Sequence, residues 1–299
     1  MNAAPSSTYF SAPPDWGWLI ASYFFLGGLA GGCYFFAALI DLFGRPEDRP
    51  LAHLGYYIAL PCLIVSGMLL TLDLGRPLRF WHMLIESNTY RPMLKPWSPM
   101  SAGSWALLAF GAFTFLAFLA ALAEEDRLAW APRVRPPGLL GVLIAVIGGI
   151  LGVYVAGYTG VLLAVTNRPI WSDTPLLGML FVVSAASISA ASMILLSHGS
   201  RATMPGLTAL HRIDSWAVAL ELLVLIAVVI SLGPVMRAWL NAWGLVLFVG
   251  VVVLGMLIPL VLYWRRESLG DRTPTAAAAL VLVGGFILRV VIVFSAEGV

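Results

Sequence analysis

The sequence predicts an all-α integral membrane protein with eight transmembrane helices, arranged as two four-helix bundles. Three observations carry that prediction. Of the 299 residues, 60% are hydrophobic and only 11% are charged, with a mean hydropathy of +0.92, whereas a soluble domain carries about 25% charged residues. Apolar runs of about 20 residues recur along the chain, and each is long enough to cross a bilayer as a helix. Polar links rich in Gly, Pro and Arg separate those runs. The net charge of +2 is too small to point to a nucleic-acid partner.

The elements follow in order. Residues 1–14 read as an uncharged Pro/Ser-rich tail. The first helix is expected from about Trp16 to Phe43, with Gly27, Gly28, Gly31 and Gly32 permitting close helix approach. No basic residue precedes Arg45, so this run lacks the positive flank of a secretory signal and is expected to stay in the protein. The second helix reads from about Leu51 to Leu74, with Pro61 inside it. Gly75 is placed to stop it, and Pro77 to start a short interfacial helix, PLRFWHMLIE. Ser98 then reads as an N-cap, with Pro99 opening a third helix that ends near Ala123. The remaining helices are expected near Gly138–Val165, Pro175–Ser197, Ile213–Leu232, Leu240–Trp264 and Ala276–Ala296. Segment 198–212 is the expected joint. The chain thus divides into the tail, residues 15–197 with the long loop 73–98, and residues 198–299, within one membrane domain.

Loop charge gives the orientation. Links after the odd-numbered helices carry ten Arg, against six Lys or Arg on the other side. Lys/Arg-rich short loops stay cytoplasmic. Both termini are therefore expected outside a plasma (inner) membrane, together with the 73–98 loop. That loop is basic on the wrong side, which suggests that its charges serve a local purpose.

The loop far exceeds a minimal connection, and such loops carry function. Asp73, Arg76, Arg79 and His82 recur every three residues, so they share one face if the turn is helical. Tyr158, Arg168 and Trp171 are expected at the same level. Tyr, His and Arg at a membrane interface suit a molecule with an apolar tail and two ring carbonyls, because Tyr and His donate to oxygens and relay protons. An interfacial aromatic belt with anchoring arginines is the alternative. In the membrane interior, Glu221 and Arg289 are each costly and are expected to pair, directly or through water. Such a pair either fixes helix register or moves protons. Asp41, Arg212 and Asp214 lie at helix ends, as a cytoplasmic entry or as plain surface groups. Cys33 and Cys62 read as small buried hydrophobes, and two thiols cannot hold an iron–sulfur cluster. The histidines His53, His82, His198 and His211 all lie near helix ends, which disfavours a bis-histidine haem; His53 with His198 or His211 is the one conceivable pairing. No metal site is expected in the chain.

DLGRPLRFWHML, SPMSAGSW and YTGVLLAVTNRPIW, with the opening WGWLIASYFFLGGLAGG, resemble the NrfD/PsrC family of membrane subunits from polysulfide-reductase-type complexes. The resemblance spans all eight helices. It implies a subunit that exchanges electrons with menaquinone or ubiquinone and docks on a ferredoxin-like iron–sulfur subunit, itself joined to a catalytic subunit that is often molybdopterin-containing. The family's quinone site lies near the outer face, with a Tyr on the fourth helix. Tyr158 matches that Tyr, and Tyr154 is the second choice. The family also uses His and Asn at the start of the first helix. This chain has Asp15-Trp16-Gly17-Trp18 there, so His82 or Asp15 is the expected substitute. A proton-coupled secondary transporter is the competing class, since buried charges and Gly/Pro-broken helices suit one too. A purely structural anchor would need neither Glu221 nor Arg289.

Overall fold

The computed structural model describes residues 16–128, 136, 138–197, 204–265 and 273–296. The tail 1–14, Asp15, His198 and the link residues Arg133, Arg135, Arg201, Arg266 and Arg272 lie outside the described residues.

Eight apolar helices long enough to span a membrane are present among the described residues. We number them α1 (Trp18–Phe43), α2 (Arg49–Asp73), α3 (Pro99–Glu124), α4 (Leu139–Ala164), α5 (Leu177–Leu196), α6 (Met204–Ser231), α7 (Ala242–Trp264) and α8 (Thr273–Ser295). No strand interrupts them in the described residues; one isolated bridge, Ile85 to Pro92, closes the long loop. α1 packs on α2, α4, α5 and α8. α2 also touches α3, and α3 touches α4; in the second half α5 touches α6 and α8, and α7 touches α6 and α8.

In lipid, helices associate through close packing rather than through a hydrophobic drive. Glycines supply that closeness here. A Cβ on Gly31 would lie 2.3 Å from the Gly152 carbonyl oxygen of α4, and one on Gly32 would lie 2.3 Å from Ser189 Oγ of α5. α1 is therefore clamped from two sides through bare backbone. In the second half, a Cβ on Gly255 would lie 2.6 Å from Gly284 Cα, beside a π-helical stretch at Leu247–Leu257 within α7.

Local signals set several boundaries. Gly75 has φ +66°, the left-handed conformation that ends α2. Ser98 caps α3, its hydroxyl accepting from the Ser101 N–H. α6 begins at Met204, nine residues before the expected start, because the polar link that reads as a loop continues the helix. The expected segment PLRFWHMLIE is a 3-10 turn, Pro77–Met83, and not a longer amphipathic helix. Because Gly75 turns the chain before Pro77, Asp73 and Arg76 do not continue one helical stripe. Arg79 and His82 do share the 3-10 turn, where positions three apart eclipse.

Candidate functional site at the long-loop face

Consecutive spans alternate in direction, so the end of α2, the start of α3, the end of α4 and the start of α1 meet at one face with the 73–98 loop. The loop is a hairpin. Glu86 N–H donates to the Arg91 carbonyl at 3.0 Å, and Met93 N–H donates to the Leu84 carbonyl at 2.8 Å. It is then pinned to the first turns of α3. The Met93 carbonyl accepts from the Trp105 indole N–H at 3.1 Å and from the Ser101 hydroxyl at 3.3 Å, and Lys95 N–H donates to Ser101 Oγ at 3.0 Å. Ser104 Oγ lies 4.0 Å from Met83 Sδ. Arg76 and Arg79 stay exposed, while His82 is half-buried, stacked on Trp81 at 3.8 Å with Nδ1 3.1 Å from the Arg79 carbonyl.

Tyr158 reaches the same turn of α3 from the other side. Its ring lies so tightly on Gly103 that a Cβ there would fall 2.0 Å from Tyr158 Cζ. Ser104, which touches the loop, is the next residue. Helix α3 therefore carries the loop and the Tyr158 phenol on adjoining positions. Tyr154 stacks on Tyr158 with ring centres 6.1 Å apart and is 44% exposed. From α1, the buried Tyr23 comes close enough to Tyr158 for their phenols to interact electrostatically. Tyr23 is a residue that reading the sequence missed; a Tyr within an apolar opening run gives no polar signal of its own.

Arg168 and Trp171 fall in a different cluster. Trp171 is fully buried, donates its indole N–H to the Ile292 carbonyl at 2.6 Å, and stacks on Trp16 at 5.4 Å. Arg168 lies over the Trp171 ring at 5.7 Å and donates to the Ala296 carbonyl at 3.3 Å. These contacts tie the α4–α5 link to α1 and α8. An aromatic line, Trp171–Trp16–Phe24–Tyr23, joins that cluster to the Tyr158 region.

Deep in the second half, Arg289 is fully buried. Its Nη1 donates to Ser184 Oγ at 2.6 Å and to the Gly285 carbonyl at 2.8 Å. The Glu221 carboxylate accepts from Ser187 Oγ at 2.6 Å. The two charges do not form an ion pair within 4 Å. They meet on α5, where Ser184 accepts from Arg289 and Ser187, one turn further along, donates to Glu221. Phe25 and Phe181 cover the guanidinium at 5.9 and 5.2 Å, a placement that favours a cation. Its Nε and Nη2 make no hydrogen bond. Asp214 is buried rather than a surface group at a helix end, because α6 starts ten residues before it; its Oδ2 accepts from the Tyr263 hydroxyl. Asp41 accepts from the Tyr56 hydroxyl at 2.8 Å.

The sequence profile described as Polysulphide reductase, NrfD, matches residues 9–298. The chain belongs to the NrfD family. Among curated relatives, this NrfD-family protein is 29% identical to the C component of the polysulfide reductase of Wolinella succinogenes, over 94% of both sequences. It is 27% identical to protein NrfD of Escherichia coli, over 94% of its own length and 95% of that relative's. A shorter match, 28% identical over 71 residues, joins it to the C component of the selenate reductase of Mesobacillus selenatarsenatis, over 24% of its own length and 17% of that relative's. The protein is thus a multi-pass membrane subunit of the polysulphide-reductase type.

Proposed function

We propose that this NrfD-family protein exchanges electrons between the membrane quinone pool and an iron–sulfur subunit docked at the long-loop face, outside the membrane. A catalytic reductase subunit, as in the complexes named for its relatives, lies beyond that partner. The observation that carries the reading is the Tyr158 phenol, held on Gly103 between Ser101 and Trp105, the two residues that fasten the loop to α3. A quinone takes two electrons and two protons to become a quinol. Tyr158, with His82 on the loop, is the candidate to hydrogen-bond the ring oxygens and pass those protons, since phenol and imidazole both donate and accept. Tyr154, half open to lipid, would flank the entering ring. Asp73 closes α2 beneath the loop, while Arg76 and Arg79 belong to the loop surface, where exposed arginines suit a partner's carboxylates. Arg168 and Trp171 support the site by locking the adjacent link, not by touching the ring.

Glu221, Arg289 and Asp214 are the proposed route for protons within the membrane, with Asp41 as a further group at the opposite face. What supports this is the pair of α5 serines, Ser184 on Arg289 and Ser187 on Glu221, together with the cost of keeping such groups, since ionisable groups in spans are costly and mark ion or proton pathways. The same buried groups are what a proton-coupled transporter would need. Purification separates the two readings, because a quinone subunit brings an iron–sulfur protein with it and a transporter does not. The direct test is Tyr158→Phe in the assembled complex. Quinone turnover should fall by about tenfold or more, with subunit assembly intact. Unchanged turnover removes Tyr158 from the site.

A further inference from the structure

The half of the molecule formed by α1–α4 holds a row of buried polar groups that the Tyr158 site does not account for. Asp41, on α1 near the face opposite the loop, accepts from the Tyr56 hydroxyl of α2 at 2.8 Å. The Tyr56 ring packs edge-on to Tyr34 of α1, with centroids 5.1 Å apart. The Tyr34 hydroxyl donates to the Ile144 carbonyl of α4 at 2.8 Å, and its lone pairs remain able to accept. Tyr34 also meets Phe110 of α3 at 5.4 Å. Thr114 follows Phe110 by one turn, and Gly103, the seat of Tyr158, precedes it by two, so the three fall on one buried stripe of α3. On α1, Gly27 borders both Ser66 of α2 and Tyr23. A Cβ there would lie 3.3 Å from Ser66 Oγ and 3.7 Å from Tyr23 Cε2.

Two of these groups lack the partner that hydroxyls in this protein's spans otherwise find. Thr71, Thr159 and Ser187 each donate back to a carbonyl of their own helix. Ser66 Oγ and Thr114 Oγ1 are fully buried and make no hydrogen bond among the described residues. Buried polar atoms without a protein partner are where internal water sits. Counted by helical rise from the face opposite the loop, Tyr56, Tyr34, Thr114 and Ser66 lie at about 10, 14, 15 and 25 Å, and Tyr23 at about 30 Å. The one long step, from Thr114 to Ser66, has an orphaned hydroxyl at each end. Its rise of about 10 Å fits a file of about three waters at a hydrogen-bond spacing of about 2.8 Å.

We propose that Asp41, Tyr56, Tyr34, Thr114 and Ser66 form a proton line, wetted between Thr114 and Ser66, that joins the face opposite the loop to Tyr23 and Tyr158. The line rests on the quinone reading above and is separate from Glu221 and Arg289. Asp41 exchanges protons with the aqueous phase. Each hydroxyl along the line accepts on a lone pair and gives up its own hydrogen, Tyr34 by turning from the Ile144 carbonyl. As two electrons arrive from the partner's iron–sulfur cluster, two protons reach the two ring oxygens and form two O–H bonds; oxidation sends both back. Electrons and protons thus come from opposite faces.

The test is radiolytic hydroxyl labelling of the full-length protein, read by mass spectrometry, because a radical formed from an internal water marks the side chain beside it. Tyr34 and Tyr56 should label despite their burial, and the equally buried Trp171 should not. Thr114→Val, which keeps the shape and removes the hydroxyl, should take the label off Tyr34. In the assembled complex, Tyr56→Phe should lower quinone turnover by about tenfold or more, with the quinone KM unchanged. Should Tyr56→Phe fail to assemble, Thr114→Val takes its place in the turnover measurement. Labelling needs neither quinone nor partner, so it judges the line even where Tyr158→Phe leaves turnover unchanged and the quinone reading falls. Unlabelled Tyr34 and Tyr56, label undiminished by Thr114→Val, or full turnover in Tyr56→Phe would overturn the proposal.

Discussion

At the scale of single residues, aromatic side chains near the long-loop face divide into struts and reactive candidates. Trp171 is a strut: it is buried, and its indole N–H is satisfied by the Ile292 carbonyl. Trp171→Phe should therefore lower stability by about 1–3 kcal/mol, the cost of a buried acceptor left unpaired, and should alter quinone turnover far less than Tyr158→Phe. Thermal unfolding and turnover measured on the same preparation check this. Ser184 has a comparable role around Arg289. Ser184→Ala removes one of the two groups that accept from the guanidinium and should destabilise by about 1–3 kcal/mol, whereas Ser184→Thr, which keeps the hydroxyl, should recover most of that loss. Sequence alone shows that Glu221 and Arg289 are buried charges. It does not show that small serines on a third helix join them, because Ser in an apolar run reads equally well as packing.

At the scale of elements, α3 carries two attachments on adjoining residues. Gly103 accommodates the Tyr158 ring, and Ser104 meets the loop. Gly103→Ala would place a methyl group 2.0 Å from Tyr158 Cζ, so the phenol must move. The variant should reproduce the turnover loss of Tyr158→Phe although its own backbone chemistry is unchanged, and a normal rate would show that the position of the phenol does not matter. Element boundaries followed their local chemistry where one residue dominates. Gly75 ended α2 and Ser98–Pro99 began α3, because a left-handed turn and a capping hydroxyl act within a few residues. The start of α6 was not legible, since His211 and Arg212 look like a loop, and Asp214 like a surface group at a helix end, until α7 supplies Tyr263 to cover the aspartate. The split between the Tyr158 region and the Trp171 cluster was hidden for the same reason: Trp171 is placed by Ile292, 121 residues away, and no local pattern encodes that contact.

At the scale of the whole molecule, the eight apolar spans among the described residues and family membership fix a multi-pass membrane protein, while the distribution of arginines argues for its orientation. Ser87, exposed in the long loop, and Glu47, exposed at the opposite face, report on sidedness. With a membrane-impermeant maleimide, Ser87→Cys should label on intact cells and Glu47→Cys only after permeabilisation; the reverse pattern would invert the assignment. The central claim is that a quinone ring is held at the long-loop face beside Tyr158. Photo-crosslinking of the assembled complex with an azidoquinone tests it most directly. The account predicts label within residues 99–105 or 154–158, lost when excess natural quinone competes. Competed label confined to α6 or α7, with none on α3 or α4, would contradict it.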